Sequence, residues 1–261
     1  MIAMVRRNFS EKSRSCVRWL PQGRVVENGR FTLIDSGLPS DTYNVVVSHD
    51  LHDTATLLCD GVGHFMAQQR PMALWYWEEA TDRANVGDLL AYGLHHAETD
   101  AAMMADLTIL RPQAVAVAGL SIGRVQTLAE WRHFGRLLEQ GFGVTEEGTA
   151  VAHYYAQRPS YTPADNPDLR HYLGWLDEEI VATGTLFVGS ETVGLYDVMT
   201  REDVRRRGIG SAMFVHLLQE TAVLPHRYAV LQASAAGAGL YRRAGFADVG
   251  VVHIFENRPL L

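Results

Sequence analysis

Apolar and polar positions along the chain follow two periods, and the first half is dominated by short runs. RFTLID (30–35), YNVVVSH (43–49) and ATLLCD (55–60) read as short elements set apart by Gly, Pro and Asp turns. MALWYWEE (72–79) is a strand-like apolar and aromatic run. A Gly-containing loop follows, then a helix at about 86–92 ended by Gly93, then LHHAETDAAMMADLTIL. Residues 1–24 are mixed and basic without a clear period, which predicts an extension or a packed arm.

The second half is more regular. Val125, Leu128, Trp131, Phe134, Leu137 and Leu138 recur at helical spacing and predict a helix over 124–140. Residues 159–169, PSYTPADNPDL, are a proline-rich loop. The stretch from His171 to Thr200 reads as two or three antiparallel strands, with turns at Asp177–Glu179 and Gly189–Thr192. Ile209, Met213, Phe214, Leu217 and Leu218 then mark one face of a helix. YAVLQAS (228–234) is almost continuously apolar, as expected of a buried strand with a parallel neighbour. GAGLYRRAGF is a short helix stopped by Gly245, and VGVVHIFEN is a final strand. The order strand, Gly-bearing loop, helix, Gly plus apolar residue, strand occurs both from Met72 and from Tyr228. This echo has two readings, an internal duplication or the frequency of that order in α/β proteins.

Composition narrows the classes. The 261 residues are 47% hydrophobic and 20% charged, a globular and not a disordered balance, with room for one large domain or two small ones. A net charge of -7 argues against a general nucleic-acid role. Cys16 and Cys59 form no paired or metal-ligating pattern, which suits a reducing compartment. The N-terminal apolar stretch is too short for a signal peptide, and no uncharged run nears the ~18 residues of a membrane span. A cytoplasmic protein without nucleic-acid or membrane partners is expected.

Against this acidic background VRRRGIGSA (204–212) stands out. A turn leading into a helix exposes N–H groups with no intrahelical partner at the positive end of the helix dipole. Gly208 and Gly210 let a ligand approach the main chain, and Arg205, Arg206 and Arg207 add charge-assisted hydrogen bonds, which together make an anion site suited to phosphate. By itself the stretch also reads as a solvated helix start. It is neither a nucleotide P-loop, which needs Lys and Ser or Thr after the second glycine, nor a dinucleotide fingerprint, where Met213 stands in place of the third glycine. HDLHD (49–53) and LHHAE (94–98) gather histidines and carboxylates without a metal-ligand spacing, so no metal is expected. GLSIG (119–123) has the letters of a nucleophile elbow without a leading strand, and chance accounts for it.

R-x-x-G-x-G opening a long helix, preceded by GLYDVMTRED and followed by a second strand and LYRRAGF, resembles the Gcn5-related N-acetyltransferase (GNAT) family over about residues 165–255. Arg205, Gly208 and Gly210 stand at the signature positions of that family's pyrophosphate loop. Ser234, Tyr241 and Gly245–Phe246 match its last motif. The resemblance implies an α/β (α+β) GNAT fold with splayed parallel strands, here Leu195–Thr200 and Tyr228–Ala233, flanked by helices. It implies acetyl-coenzyme A as co-substrate, with Val198 and Thr200 offering N–H groups to the pantetheine arm and thioester. The N–H groups from Arg206 through Arg207, Gly208, Ile209 and Gly210 to Ser211 would take the pyrophosphate, with Ser234 and Tyr241 also at the coenzyme. Direct attack by an amine would follow, with Tyr241 as general acid and Asp197 the first candidate base, ahead of Glu178, Glu179 and His253.

After the extension at 1–24, the resemblance further implies a degenerate GNAT-like copy over 25–112 that shapes the acceptor pocket, and a catalytic domain over 113–261. The acceptor is a small-molecule, peptide or protein amine, and a homodimer is admitted. Trp131, Tyr154, Tyr155 and Tyr161 fit either an aromatic-walled acceptor pocket or core. The alternative function is a non-catalytic acetyl-coenzyme A sensor.

Overall fold

The computed structural model describes residues 1–51, 54–78 and 86–258. The end of HDLHD, the last glutamate of MALWYWEE and the loop after it lie outside the described residues. Contacts divide the chain into two compact units. Unit 1 comprises residues 1–103, 232–239 and 247–261, and unit 2 comprises 104–231 and 240–246.

Unit 1 starts with helix α1 (Ile2–Val17), so the expected N-terminal extension is a packed helix. Its inner face mixes Val5, Phe9 and Val17 with the small polar residues Asn8, Ser10 and Ser13, all buried, which is why no apolar period announces it. Phe9 stacks on Trp75 at 4.2 Å between ring centres and leans on Trp77 at 5.2 Å. Strands β1 (Arg24–Glu27), β2 (Phe31–Asp35) and β3 (Val45–Ser48) pair antiparallel in that order. The segment around ATLLCD is helical, not extended: α2 (Thr54–Thr56), a π-helical turn (Leu57–Val62) and α3 (Gly63–Met66) run end to end. Leu57, Leu58, Val62 and Phe65 on this run enter a core with Phe31, Val46, Leu74 and Phe255. A helical face of one such run satisfies burial as well as a strand does, which is why a short apolar stretch is ambiguous.

β4 (Ala73–Glu78) lies parallel to β3, with Val45, Val46 and Val47 opposite Ala73, Leu74 and Trp75. After α4 (Val86–Ala91), strand β5 (His95–Asp106) leaves unit 1 at Met103. The last strand of the chain, β11 (Ala247–Glu256), belongs to unit 1. It runs antiparallel to β4 with His253 opposite Tyr76 and Phe255 opposite Leu74. β11 thus lies in the same compact unit as its antiparallel neighbour β4.

Unit 2 holds β6 (Leu120–Arg124), α5 (Leu128–Phe142), α6 (Glu146–Ala156), β7 (Leu169–Leu176), β8 (Glu179–Val188), β9 (Val193–Thr200) and α7 (Ile209–Glu220). β6 to β9 form an antiparallel meander in chain order, with tight turns at Asp177–Glu178 and around Gly189. β10 (Tyr228–Ala233) then adds parallel to β9. α8 (Ala238–Arg243) ends at Gly245, whose φ of 96° only glycine adopts readily. The protein is thus mixed α/β, with parallel and antiparallel strand pairs in each unit and helices flanking them.

The core of unit 2 settles the aromatic quartet. Trp131, Tyr154, Tyr155 and Tyr161 are all buried, and Trp131 donates its indole N–H to the Tyr155 carbonyl at 2.9 Å. Trp131 stacks on Tyr161 at 4.7 Å, and Arg158 lies 5.1 Å from both rings. These residues pack with one another as core.

Candidate active site

The site grows from two adjacent events in unit 2, a ladder that stops and a helix that starts. β9 and β10 are in register only at Val193–Ala229 and Gly194–Val230. Beyond them β9 runs on through Leu195 to Thr200 without a β10 partner, the divergence expected of a splayed parallel pair. On its other edge β9 pairs with β8, but the register shifts between Thr183 and Thr185, so Asp197 and Val198 face Gly184 as a bulge. Asp197 takes the left-handed conformation at φ 54°, and its carbonyl accepts a hydrogen bond from Thr183 Oγ1 at 2.7 Å. A Cβ on Gly184 would come within 2.9 Å of Met213 Sδ, so glycine lets α7 pack against the sheet at the bulge.

β9 leads through Arg201 and a 3-10 turn (Glu202–Val204) into the arginine stretch. Arg201 clamps the turn: its guanidinium bonds Asp203 at 2.7 Å and Glu179 at 2.8 Å, and its N–H donates to the Val181 carbonyl. Hydrogen bonds from Arg201 hold the Asp203 carboxyl below its usual range. Sequence reasoning passed over Arg201, because neither its spacing nor its type separates it from a solvated arginine. Glu178 and Glu179 form the exposed β7–β8 tip, and Glu179 serves there as the partner of Arg201.

Arg205, Arg206, Arg207 and Gly208 are exposed. Arg206 at φ 63° and Gly208 at φ 83° are both left-handed, which turns the chain sharply into α7. α5 begins with a Thr127–Glu130 capping box, and α6 with the Thr145 hydroxyl accepting from Gly148 N–H at 3.0 Å. α7 instead begins at Gly208 with no side-chain cap, so the N–H groups of Ile209, Gly210 and Ser211 open the helix without an intrahelical acceptor. Arg205 Nε donates to the Thr200 carbonyl at 3.1 Å. A Cβ on Gly210 would lie 3.2 Å from Thr200 Oγ1, so β9's end and the helix start meet.

A cleft of about 550 Å³ opens at this junction, walled by Met199, Thr200, Arg201 and Arg205 and, across from them, by Gln140 and Gly141 of α5. A Cβ on Gly141 would press on Met199 Sδ, so a larger residue there would displace the Met199 side chain. No local signal in the sequence marked Gln140 or Gly141 as cleft residues. A second cavity of about 360 Å³ lies along α7 and α8, lined by Ser211, Phe214, Leu240, Arg243 and Arg111. Tyr241 rests edge-on against Phe214, with ring centres 4.7 Å apart, and keeps part of its surface exposed.

The structure therefore gathers Thr200, Arg205, Gly208, Gly210 and the first turn of α7 at one place, with Asp197 and Val198 in the bulge of the strand that leads there. Two predicted residues fall in unit 1. The Ser234 carbonyl accepts from Gly237 and Ala238 N–H groups, and His253 bonds Glu78 and Thr99 at 3.2 Å each. Ser121 of GLSIG lies within β6, so no strand-to-helix elbow presents it. Among the described residues no group of His, Cys, Asp and Glu could hold a metal ion, and no helix is long and apolar enough to cross a membrane.

Residues 167–248 match the family model described as acetyltransferase (GNAT) domain. A search of curated proteins returned no match. Among solved structures, a GCN5-related N-acetyltransferase from Kribbella flavida is similar at a TM-score of 0.71 and 18% identity, covering 98% of this chain and 96% of its own. A functionally unknown conserved protein from Staphylococcus epidermidis is similar at a TM-score of 0.66 and 13% identity, over 92% and 95%. A tandem GNAT protein from the clavulanic acid biosynthesis pathway is similar at a TM-score of 0.58 and 12% identity, over 93% and 86%.

Proposed function

We propose, from the premise that residues 167–248 form a GNAT acetyltransferase domain, that the protein moves an acetyl group from acetyl-coenzyme A to a primary amine. The observation that carries the reading is the β9–β10 ladder ending at Gly194–Val230 beside an uncapped, arginine-flanked helix start. The residues fit the coenzyme: three exposed guanidiniums and free helix-start N–H groups suit a pyrophosphate, and the 550 Å³ cleft along the end of β9 suits an extended arm.

In this reading Arg205, Arg206 and Arg207 draw in the phosphates, and the N–H groups from Arg206 to Ser211 hold them. The unpaired edge of β9 receives the amide arm as an added strand would be received. Val198 and Thr200 N–H groups orient it, and Val198 N–H stabilises the oxyanion as the amine attacks. The new bond joins the amine nitrogen to the acetyl carbon, and the carbon–sulfur bond breaks. The ammonium proton leaves through water to Asp197, and the thiolate takes the Tyr241 proton. A free tyrosine with a pKa near ~10 is protonated at neutral pH and can serve. The acceptor belongs to the class of small-molecule, peptide or protein amines.

Unit 1 supports the duplication reading of residues 25–112. It repeats a parallel strand pair, β3 and β4, joined through a helical segment, and the likeness to a tandem GNAT protein points the same way. It has no counterpart of R-x-x-G-x-G after β3.

Calorimetric titration with acetyl-coenzyme A, beside coenzyme A and ATP, tests the reading. Saturable binding that prefers the acetylated form is expected, and Arg205→Ala should weaken it roughly tenfold with an unchanged melting temperature. Absence of binding would remove the proposal. Binding with no thiol release for any amine would favour the sensor.

A further inference from the structure

Unit 1 carries a cavity of about 350 Å³ between α1 and the edges of its first strands. The helix contributes Ala3, Arg6, Arg7, Ser10, Glu11 and Arg14, positions that share one helical face at intervals of three and four residues. The opposite wall is Thr32 of β2, Val47 at the end of β3, and His49 just beyond it. A helix whose inner stripe meets the tryptophans of β4 thus turns a second stripe, rich in arginine, toward a pocket in the same unit.

The polar atoms of this pocket are held in place. Arg6 Nη1 donates to the His49 carbonyl at 2.6 Å, which fixes one guanidinium against the strand end. His49 Nε2 and Thr32 Oγ1 lie 3.2 Å apart. Burial, and then the Arg6 charge, keep the His49 imidazole below its usual range, so it sits there neutral. At the rim Arg14 pairs with Glu27 at 2.9 Å, with both side chains about half exposed. Such a pair contributes little and can yield to a partner of better geometry. The lining carries three guanidiniums, of Arg6, Arg7 and Arg14, and two carboxylates, of Glu11 and Glu27.

The position of the pocket within its unit adds a second argument. In unit 2 the 550 Å³ cleft opens where β9, the first strand of a parallel pair, ends against the preceding helix α5. In unit 1 this pocket opens where β3, the first strand of a parallel pair, ends against the preceding helix α1. The same topological place is concave in both units, but different residues line it.

We infer that the α1–β3 pocket of unit 1 is a binding site for a small multiply charged oxyanion, a phosphate ester or a polycarboxylate, gripped by Arg6, Arg7 and Arg14. Guanidinium forks match the paired oxygens of phosphate and carboxylate alike. The Ser10 and Thr32 hydroxyls supply further hydrogen bonds. The size suits a small molecule and not a protein surface. The inference is independent of acetyl transfer in unit 2.

The test is isothermal titration of the intact protein with inorganic phosphate and, separately, with citrate, at constant ionic strength. Saturable binding of at least one anion is expected, and the stronger of the two identifies the chemistry. Arg7→Gln with Arg14→Gln should weaken binding roughly tenfold or more. Arg24→Gln, an exposed arginine outside the pocket, should leave it unchanged, and Arg205→Ala, which removes the phosphate component of unit 2, should leave the unit 1 component in place. Circular dichroism checks folding, and the exposed single variant Arg7→Gln serves if the double variant unfolds. No saturable binding of either anion, or binding lost in Arg205→Ala and kept in the α1 variants, overturns the inference. Acetyl-coenzyme A titration is read separately, so the two proposals fail separately.

Discussion

The two parallel strand pairs are the same construction in different surroundings. In unit 1, β3 and β4 hold three residue pairs in register, and the helical segment after β3 starts at Thr54 without a glycine turn. In unit 2, β9 and β10 hold two pairs before parting, and the helix after β9 starts at a left-handed glycine among exposed arginines. Charge is placed differently as well. Unit 1 closes it inside the fold: buried Asp35 takes two bonds from Arg70, at 2.6 and 3.0 Å, one from Gly37 N–H, and a contact with His64 at 2.7 Å. Burial by itself would raise the Asp35 carboxyl, but these partners outweigh it and hold it below its usual range. Unit 2 leaves Arg205, Arg206 and Arg207 in solvent. Topology decides where a cleft can form, and the residues that line it decide what it can take.

The comparison can be broken first at Asp35. Asp35→Ala strands Arg70 and should destabilise the protein by about 3 kcal/mol in urea titration. A loss like that of a surface substitution would show that unit 1 does not depend on internal charge. In unit 2 the corresponding break is Gly208→Val. A Cβ there meets only ordinary contacts, the nearest being Val117 at 3.5 Å, so the damage comes from forcing a β-branched residue to φ 83°. Coenzyme affinity should fall roughly tenfold or more while most of the fold survives. Tyr241→Phe keeps the contact with Phe214 and removes only the hydroxyl, so affinity should hold while turnover falls about tenfold. Unchanged turnover would return Tyr241 to packing.

The smallest effect concerns Asp100 on β5. Burial and the neighbouring Glu98 push its carboxyl up to about 7, and its Oδ1 is buried without a hydrogen-bond partner. A raised folded-state value means the protonated form is favoured in the folded protein. Its contribution is therefore full below about pH 4 and is lost as pH rises through 7. Asp100→Asn should raise the melting temperature by a few degrees at pH 8 and have little effect at pH 4. A gain that does not depend on pH would break the assignment.

Local rules made much of unit 2 legible. The turns at Asp177 and Gly189, the apolar face of α7 and the continuous apolar run of β10 are each set by neighbours in the chain. The arginine–glycine turn could be read as an anion site because its chemistry resides in six consecutive residues. The α1 pocket could not: its arginines are spread over a helix with no visible apolar period, and its other wall comes from β2 and β3.

By itself the sequence determined the order of strands and helices from β7 to α8, the glycine-spaced helix start and the resemblance they carry, since each depends on interactions a few residues long. Tertiary structure alone decided that β11 pairs with β4, almost 180 residues away, because a strand's own pattern says which face is buried but not which edge it will meet. Packing likewise decided that the Trp131 aromatics are core, because a large ring suits a pocket wall and a filled interior equally, and only the space left around it distinguishes them.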